Sequence, residues 1–255
     1  MKKIVIIGSG NVAAVLGRKF RAAGHTIIQV LSRNSMEASR LAYEWDTESA
    51  NYLSLISQHG DVYVMAVSDH AIAELAKDLL LPDKVIAHTA ASVNMDVLKD
   101  VSPHHGVFYP LQSLRKEMIF LPEIPVFTEG ATPKARQVLL ELASSIAGEE
   151  TRPSTLDERI RLHVAAVVVN NFTNHLYQLA EEFCRKENLD FRLLWPLIEE
   201  TATRVKEISP SKSQTGPAIR GDEETIQKHL ALLDNHPQLK EVYTFFSLQI
   251  KRGEA

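Results

Sequence analysis

A chain of 255 residues is too long for one minimal domain and suits two modest ones. Apolar residues make up 45% and charged residues 24%, which excludes a disordered chain. Lys plus Arg total 28 against 32 for Asp plus Glu, and the net charge of −4 excludes a general attraction to nucleic acid or anionic lipid. The single cysteine, Cys184, rules out an intrachain disulfide and argues against a Cys-based metal site. His104 and His105 lack a companion ligand pattern, so no metal is expected. The apolar run Ile4–Ile7 stops at Gly8, too soon for a signal peptide or a membrane span, and the expectation is a soluble, cytoplasmic protein.

In chain order, short apolar runs alternate with helical patterns, the signature of βαβ units and a parallel sheet. The reading is strand Lys3–Ile7, helix Asn11–Ala23 stopped by Gly24, strand Thr26–Leu31, helix Ser35–Trp45 and a weak strand near Ser49–Asn51. Strand Val62–Val67 follows, then a helix from Asp69 to Leu80, with Asp69 as its N-cap, and strand Val85–His88. Gly106–Tyr109 and Pro125–Thr128 read as further strands around a loop at Leu111–Leu121. Pro133–Ile146 is a helix with proline in its first turn, and Glu149–Arg152 an edge strand.

After Pro153 only helical periodicity remains. Leu156–Glu187 reads as one long helix, apolar nearly all round between Val164 and Phe172 except at Asn170 and Asn171. Such a helix is buried on several sides, by neighbours or by a second subunit, and a homodimer through the C-terminal helices is expected. Phe191–Ile208, Glu223–Leu233 and Gln238–Ile250 complete an all-helical half. The expected division is residues 1–152, an α/β Rossmann domain, and residues 153–255, an all-α domain for substrate binding and dimerisation.

The strongest motif is Gly8-Ser9-Gly10-Asn11-Val12-Ala13, a G-x-G-x-x-A pattern placed directly after a strand and opening a helix. Gly8 permits the tight turn, Gly10 lets a pyrophosphate approach without a Cβ in the way, and Ala13 lets the helix pack close to the sheet. The first helical turn then offers unpaired N–H groups to the anion. An ordinary tight turn is the structural alternative. At the end of the second strand, where NAD sites place a carboxylate, stands Ser32-Arg33-Asn34. A carboxylate there would repel a 2′-phosphate, whereas the Arg33 guanidinium grips one through two N–H bonds, with Ser32 and Asn34 as neutral donors. NADP(H) is therefore expected over NAD(H); the alternative is a solvated loop arginine. Ala66, Val67 and Ser68, ending the fourth strand, are expected along the cofactor, and His88-Thr89-Ala90, with Thr89 foremost, beside the nicotinamide.

These segments, followed by a helical second half, resemble the NADP-dependent oxidoreductases that include pyrroline-5-carboxylate reductase, ketopantoate reductase and 3-hydroxyacid dehydrogenases. His105 to Ser113, containing Tyr109-Pro110-Leu111-Gln112, His163 to Asn171, and Thr215 to Asp222 resemble more specifically the Rossmann-like oxidoreductases with a C-terminal domain of unknown function, DUF2520. The resemblance spans essentially the whole chain and implies a C-terminal half like that of 6-phosphogluconate dehydrogenase. Tyr109 stands where that family usually has His, so no role of that imidazole is carried over. The hydroxyacid dehydrogenase relatives carry a Lys and an Asn on the central helix; Arg161 to Asn174 has no lysine.

That stretch offers His163, Asn170, Asn171 and Asn174, which an α-helical period brings toward one face. Imidazole trades a proton near neutral pH, and asparagine holds a carbonyl or imine by hydrogen bond. His163, Asn170 and Asn171 are the catalytic candidates; the alternative is that they satisfy a buried helix or a dimer seam. Gln112, Thr215 and Arg220 are the candidates for substrate binding, Arg220 as a carboxylate clamp or equally as half of an ion pair. Asp222 reads as a helix N-cap. The leading expectation is hydride transfer between NADP(H) and a small C=O or C=N substrate in an interdomain cleft. The competing one is a protein that binds or senses NADP(H) without turnover.

Overall fold

The computed structural model describes residues 1–253. They form two compact units, Met1–Val167 and Val168 onward. The first is built on one sheet of β1 (Lys3–Ile7), β2 (Thr26–Leu31), β3 (Glu48–Ala50), β4 (Val62–Met65), β5 (Val85–His88), β6 (His105–Pro110), β7 (Val126–Gly130) and β8 (Thr151–Pro153). Their spatial order is β3-β2-β1-β4-β5-β6-β7-β8. All neighbours run parallel except β6 and β7. The first six reproduce the doubly wound order 3-2-1-4-5-6, in which the order of strands, all parallel, switches between β1 and β4, the crevice where dinucleotides bind.

Alternation along the strands sorts the core onto two faces. Ile4, Ile6 and Val64 join Ala13, Leu16 and Phe20 of α1 (Asn11–Ala22), Leu41 and Trp45 of α2 (Ser35–Trp45), and Leu139 of α4 (Pro133–Ala147). Val5, Ile7, Tyr63 and Met65 pack on the other face with Ile72 and Ala76 of α3 (Asp69–Lys77). A Cβ on Gly17 would stand 2.2 Å from the Trp45 ring, so that glycine sets how closely α1 approaches α2. Gln29, buried within β2, has both ends of its amide satisfied: Nε2 donates to the Leu55 carbonyl and Oε1 accepts from the Ser57 N–H.

Strands give way to helices at Pro153, where composition changes, but packing does not divide until Val167. The reason lies in α5 (Leu156–Ala166), opened by a Thr155–Glu158 capping box and anchored by side chains that reach back to the sheet. The helical run then passes through a π stretch, Val167–Phe172, into α6 (Thr173–Lys186). A π turn bonds i to i+5, so the α-helical period that aligned His163 with Asn170 and Asn171 in the sequence does not hold there. Taken by itself, the second unit comprises α6, α7 (Trp195–Arg204), the single turn α8 (Pro210–Ser213), α9 (Glu223–Leu232) and α10 (Pro237–Arg252). Among the described residues, Leu179, Cys184, Ala218, Ile226 and Leu233 are its buried apolar positions. Asp222 caps α9 by accepting from the Thr225 N–H at 3.0 Å. Among the described residues no helix is long and apolar enough to cross a membrane.

Candidate functional site

The carboxyl ends of β1, β2 and β4 open into one hollow of about 470 Å³. Its wall is Gly8, Ser9, Gly10, Asn11 and Val12 from the first loop, Ser32, Arg33 and Asn34 from the second, and Ala66, Val67 and Ser68 from the fourth strand. Gly8 has φ +119°, and a Cβ there would meet the Ala66 carbonyl oxygen at 2.2 Å. The turn therefore requires glycine. A Cβ on Gly10 would meet nothing within 4 Å, so the missing side chain leaves open space toward the hollow. Ala13 is off the wall, fully buried where α1 meets the sheet.

The fit to a dinucleotide rests on the start of α1. No side chain caps it, its first turn holds no acidic residue, and its first backbone bond runs from the Ala14 N–H to the Gly10 carbonyl. The N–H groups of Asn11 and Val12, on the wall of the hollow, are thus left to an outside acceptor, at the positive end of the helix dipole. Helix α2 differs: the Asn34 carboxamide oxygen accepts from the Glu37 N–H at 3.1 Å and closes that end. Asn34 is both wall and cap. The Ser9 and Ser32 hydroxyls lie 2.8 Å apart and tie the two loops, while Ser32 Oγ also accepts from the Asn34 N–H. Arg33 is exposed and has no hydrogen bond or ion pair among the described residues.

A second polar group lies along β5, β6 and β7. Thr89 follows β5, buried, its N–H donating to the Met65 carbonyl. His88 is fully buried; Nδ1 accepts from the Ala90 N–H, and Nε2 has no partner. Burial, then the positive charge of Arg159, push its pKa down to about 4. Arg159 is itself 0% exposed and donates to Glu129 Oε2 at 2.5 Å. One turn along α5, His163 places Nδ1 3.1 Å from the Tyr109 hydroxyl, the rings edge to face. Tyr109 is buried and His163 exposed. Burial, then the Asp69 carboxylate, hold the Tyr109 phenol above its ordinary pKa, so it stays an O–H group.

Other expected positions have different duties. Ser68, not Asp69, occupies the N-cap position of α3; Asp69 accepts instead from the Ser92 hydroxyl at 3.0 Å. Gln112 spends its amide on its own loop, donating to the Glu123 carbonyl and accepting from the Ser113 N–H. His104 and His105 are held by Thr132 and by the Ser102 carbonyl. In the second unit, Asn170 and Asn171 lie exposed within the π stretch, Thr215 lines a hollow of about 240 Å³ with Thr201 and Arg204, and Arg220 is exposed beside Asp222. No motif marks Tyr109 and Arg159 as working groups, whereas His88 falls in the segment expected beside the nicotinamide. The i, i+4 spacing of Arg159 and His163 was an available signal that both face one way.

Residues 3–92 match the family model described as NADP oxidoreductase, coenzyme F420-dependent, and residues 124–250 match the domain of unknown function DUF2520. No curated protein matches the sequence. Among solved structures, a "putative NADP oxidoreductase" from Bacteroides fragilis is 36% identical, with 98% of each chain covered and a TM-score of 0.91. A protein from Thermotoga maritima is 21% identical over 99% of this chain and 100% of its own, with a TM-score of 0.77. A 1-pyrroline-5-carboxylate reductase from Streptococcus pyogenes, 13% identical over 98% of both chains at a TM-score of 0.64, shares the fold.

Proposed function

The chain belongs to the NADP oxidoreductases that carry the DUF2520 domain, and on that premise we propose that it moves a hydride between NADP(H) and a small C=O or C=N substrate. The observation that carries the cofactor half is the uncapped start of α1 facing the same hollow as the unpaired Arg33. When bound, the nicotinamide supplies or accepts the hydride. The chain's part is to bind, orient and move a proton. The free amides of Asn11 and Val12 hold the diphosphate, and Arg33 with Ser32 holds the 2′-phosphate.

His163 is the proposed acid. In its charged form Nδ1–H donates to the Tyr109 oxygen, and Nε2–H is free to protonate the oxygen or nitrogen of the bond being reduced. After that transfer Nδ1 keeps its proton and still donates to the Tyr109 oxygen, so one hydroxyl partners both forms of the ring. Hydride to carbon and proton to the heteroatom together complete the reduction.

The test is NADPH consumption with a panel of keto and imino acids. His163→Ala should keep NADPH affinity near that of the wild type while turnover falls roughly 10²- to 10⁴-fold, the scale of general acid catalysis. Unchanged turnover demotes His163 to packing, and tight NADPH binding without turnover on any substrate favours a sensor. A homodimer is part of the proposal, in the cytoplasm. The helical unit leaves Val168, Val169, Phe172, Trp195, Phe245 and Phe246 exposed, and a second copy would cover them. Size-exclusion mass at several concentrations tests this.

A further inference from the structure

The loop between β6 and β7 returns to the start of α1 at Lys116. Its N–H donates to the Asn11 side-chain oxygen at 3.1 Å, and its carbonyl accepts from Arg18 Nη1 at 2.7 Å. Asn11 opens α1 and lines the hollow. The Lys116 side chain crosses instead to α2, where Nζ meets Glu37 Oε2 at 2.9 Å. Glu37 sits in the first turn of α2, its N–H bonded to the cap Asn34, directly after the Arg33 that faces the hollow. The side chains are 34% and 25% exposed, so the pair is only partly screened by water.

A carboxylate at that place opposes a phosphate on the adenosine ribose, and the ion pair cancels it. Arg40 reaches the same carboxylate at 3.3 Å, so the cluster of Arg33, Lys116, Arg40 and Glu37 is net positive. We infer that Lys116 is a determinant of cofactor preference: it neutralises Glu37 and adds positive charge where the 2′-phosphate lies. The inference rests on the reading that Arg33 marks the 2′-phosphate end of the hollow. It adds a residue from a loop 79 positions away in sequence from Glu37.

The loop is docked by main-chain atoms of residue 116, so truncating the charge leaves both anchoring bonds in place. Full-length wild-type protein, Lys116→Met, Lys116→Arg and Glu37→Gln are titrated with NADPH and with NADH by fluorescence. Lys116→Met should weaken NADPH binding on the order of fivefold, the scale of one partly exposed charge acting on a phosphate, and change NADH binding less than about twofold. The NADPH deficit should shrink as salt is added. Lys116→Arg should keep the preference, and Glu37→Gln, which disturbs no core packing, should strengthen NADPH binding selectively. Equal losses for both cofactors in Lys116→Met, or unchanged selectivity in both Lys116→Met and Glu37→Gln, overturn the inference while leaving a wild-type preference for NADPH intact. A wild type that does not prefer NADPH overturns the 2′-phosphate reading and this inference together.

Discussion

Acid should destabilise the first unit through His88 by an amount that the structure bounds. The ring is fully buried, Nδ1 is engaged as an acceptor, and the buried Arg159 adds positive charge nearby, so the folded protein holds it neutral. The sign follows from proton uptake: a folded pKa below the unfolded one means the unfolded chain takes the proton first as pH falls. Stability linked to this residue is therefore complete above pH 6.5 and drains away as pH falls toward about 4, below which both states are protonated. That interval, at about 1.4 kcal/mol per pH unit, makes a loss of about 3 kcal/mol. Denaturant unfolding across this range, in wild type and His88→Gln, isolates the contribution, because carboxylates that titrate near pH 4 affect both proteins alike. The wild type should lose about 3 kcal/mol more than the variant. Parallel stability curves, or a His88 that takes up its proton near the ordinary histidine value by NMR, would refute the reasoning.

Arg159→Met should destabilise by about 3 kcal/mol or more, because the buried cation leaves and Glu129 loses its partner. Adding Glu129→Gln should recover part of that loss; a double variant no better than the single one would show that the pair is not coupled. Gly17→Ala gains about 1 kcal/mol in helix propensity. It also drives a methyl into the Trp45 ring, with overpacking of about 1–3 kcal/mol, so unfolding midpoints should fall or barely change. A clear gain in stability would mean that the α1–α2 contact is looser than described.

Much of the fold is legible in the chain itself. The strand runs at Lys3–Ile7 and Thr26–Leu31, the proline-started helix at Pro133 and the cap at Asp222 are local signals, and local physics decides them. The glycine loop was legible for the same reason: its turn, open approach and helix start lie within a few consecutive residues. What stayed hidden depends on partners far apart in sequence. Arg159 looks like any charged helical residue between Glu158 and Ile160, until β7 brings Glu129 against it. Tyr109 and His163 are 54 positions apart, and only the sheet makes them neighbours. The π stretch at Val167–Phe172 leaves no mark in the sequence, because nothing in an apolar run distinguishes a bond to i+4 from one to i+5.

The two helices that face the hollow begin differently, and the difference divides the work of recognition by how readily it can be altered. At α1 the free groups belong to the main chain, so substitution of side chains there cannot erase the hold on what every such dinucleotide shares. At α2 the end is already closed by Asn34, and grip must come from exchangeable side chains. Evolution or engineering can therefore rewrite which nucleotide is favoured, a few substitutions at a time, without rebuilding the support that makes nucleotide binding possible.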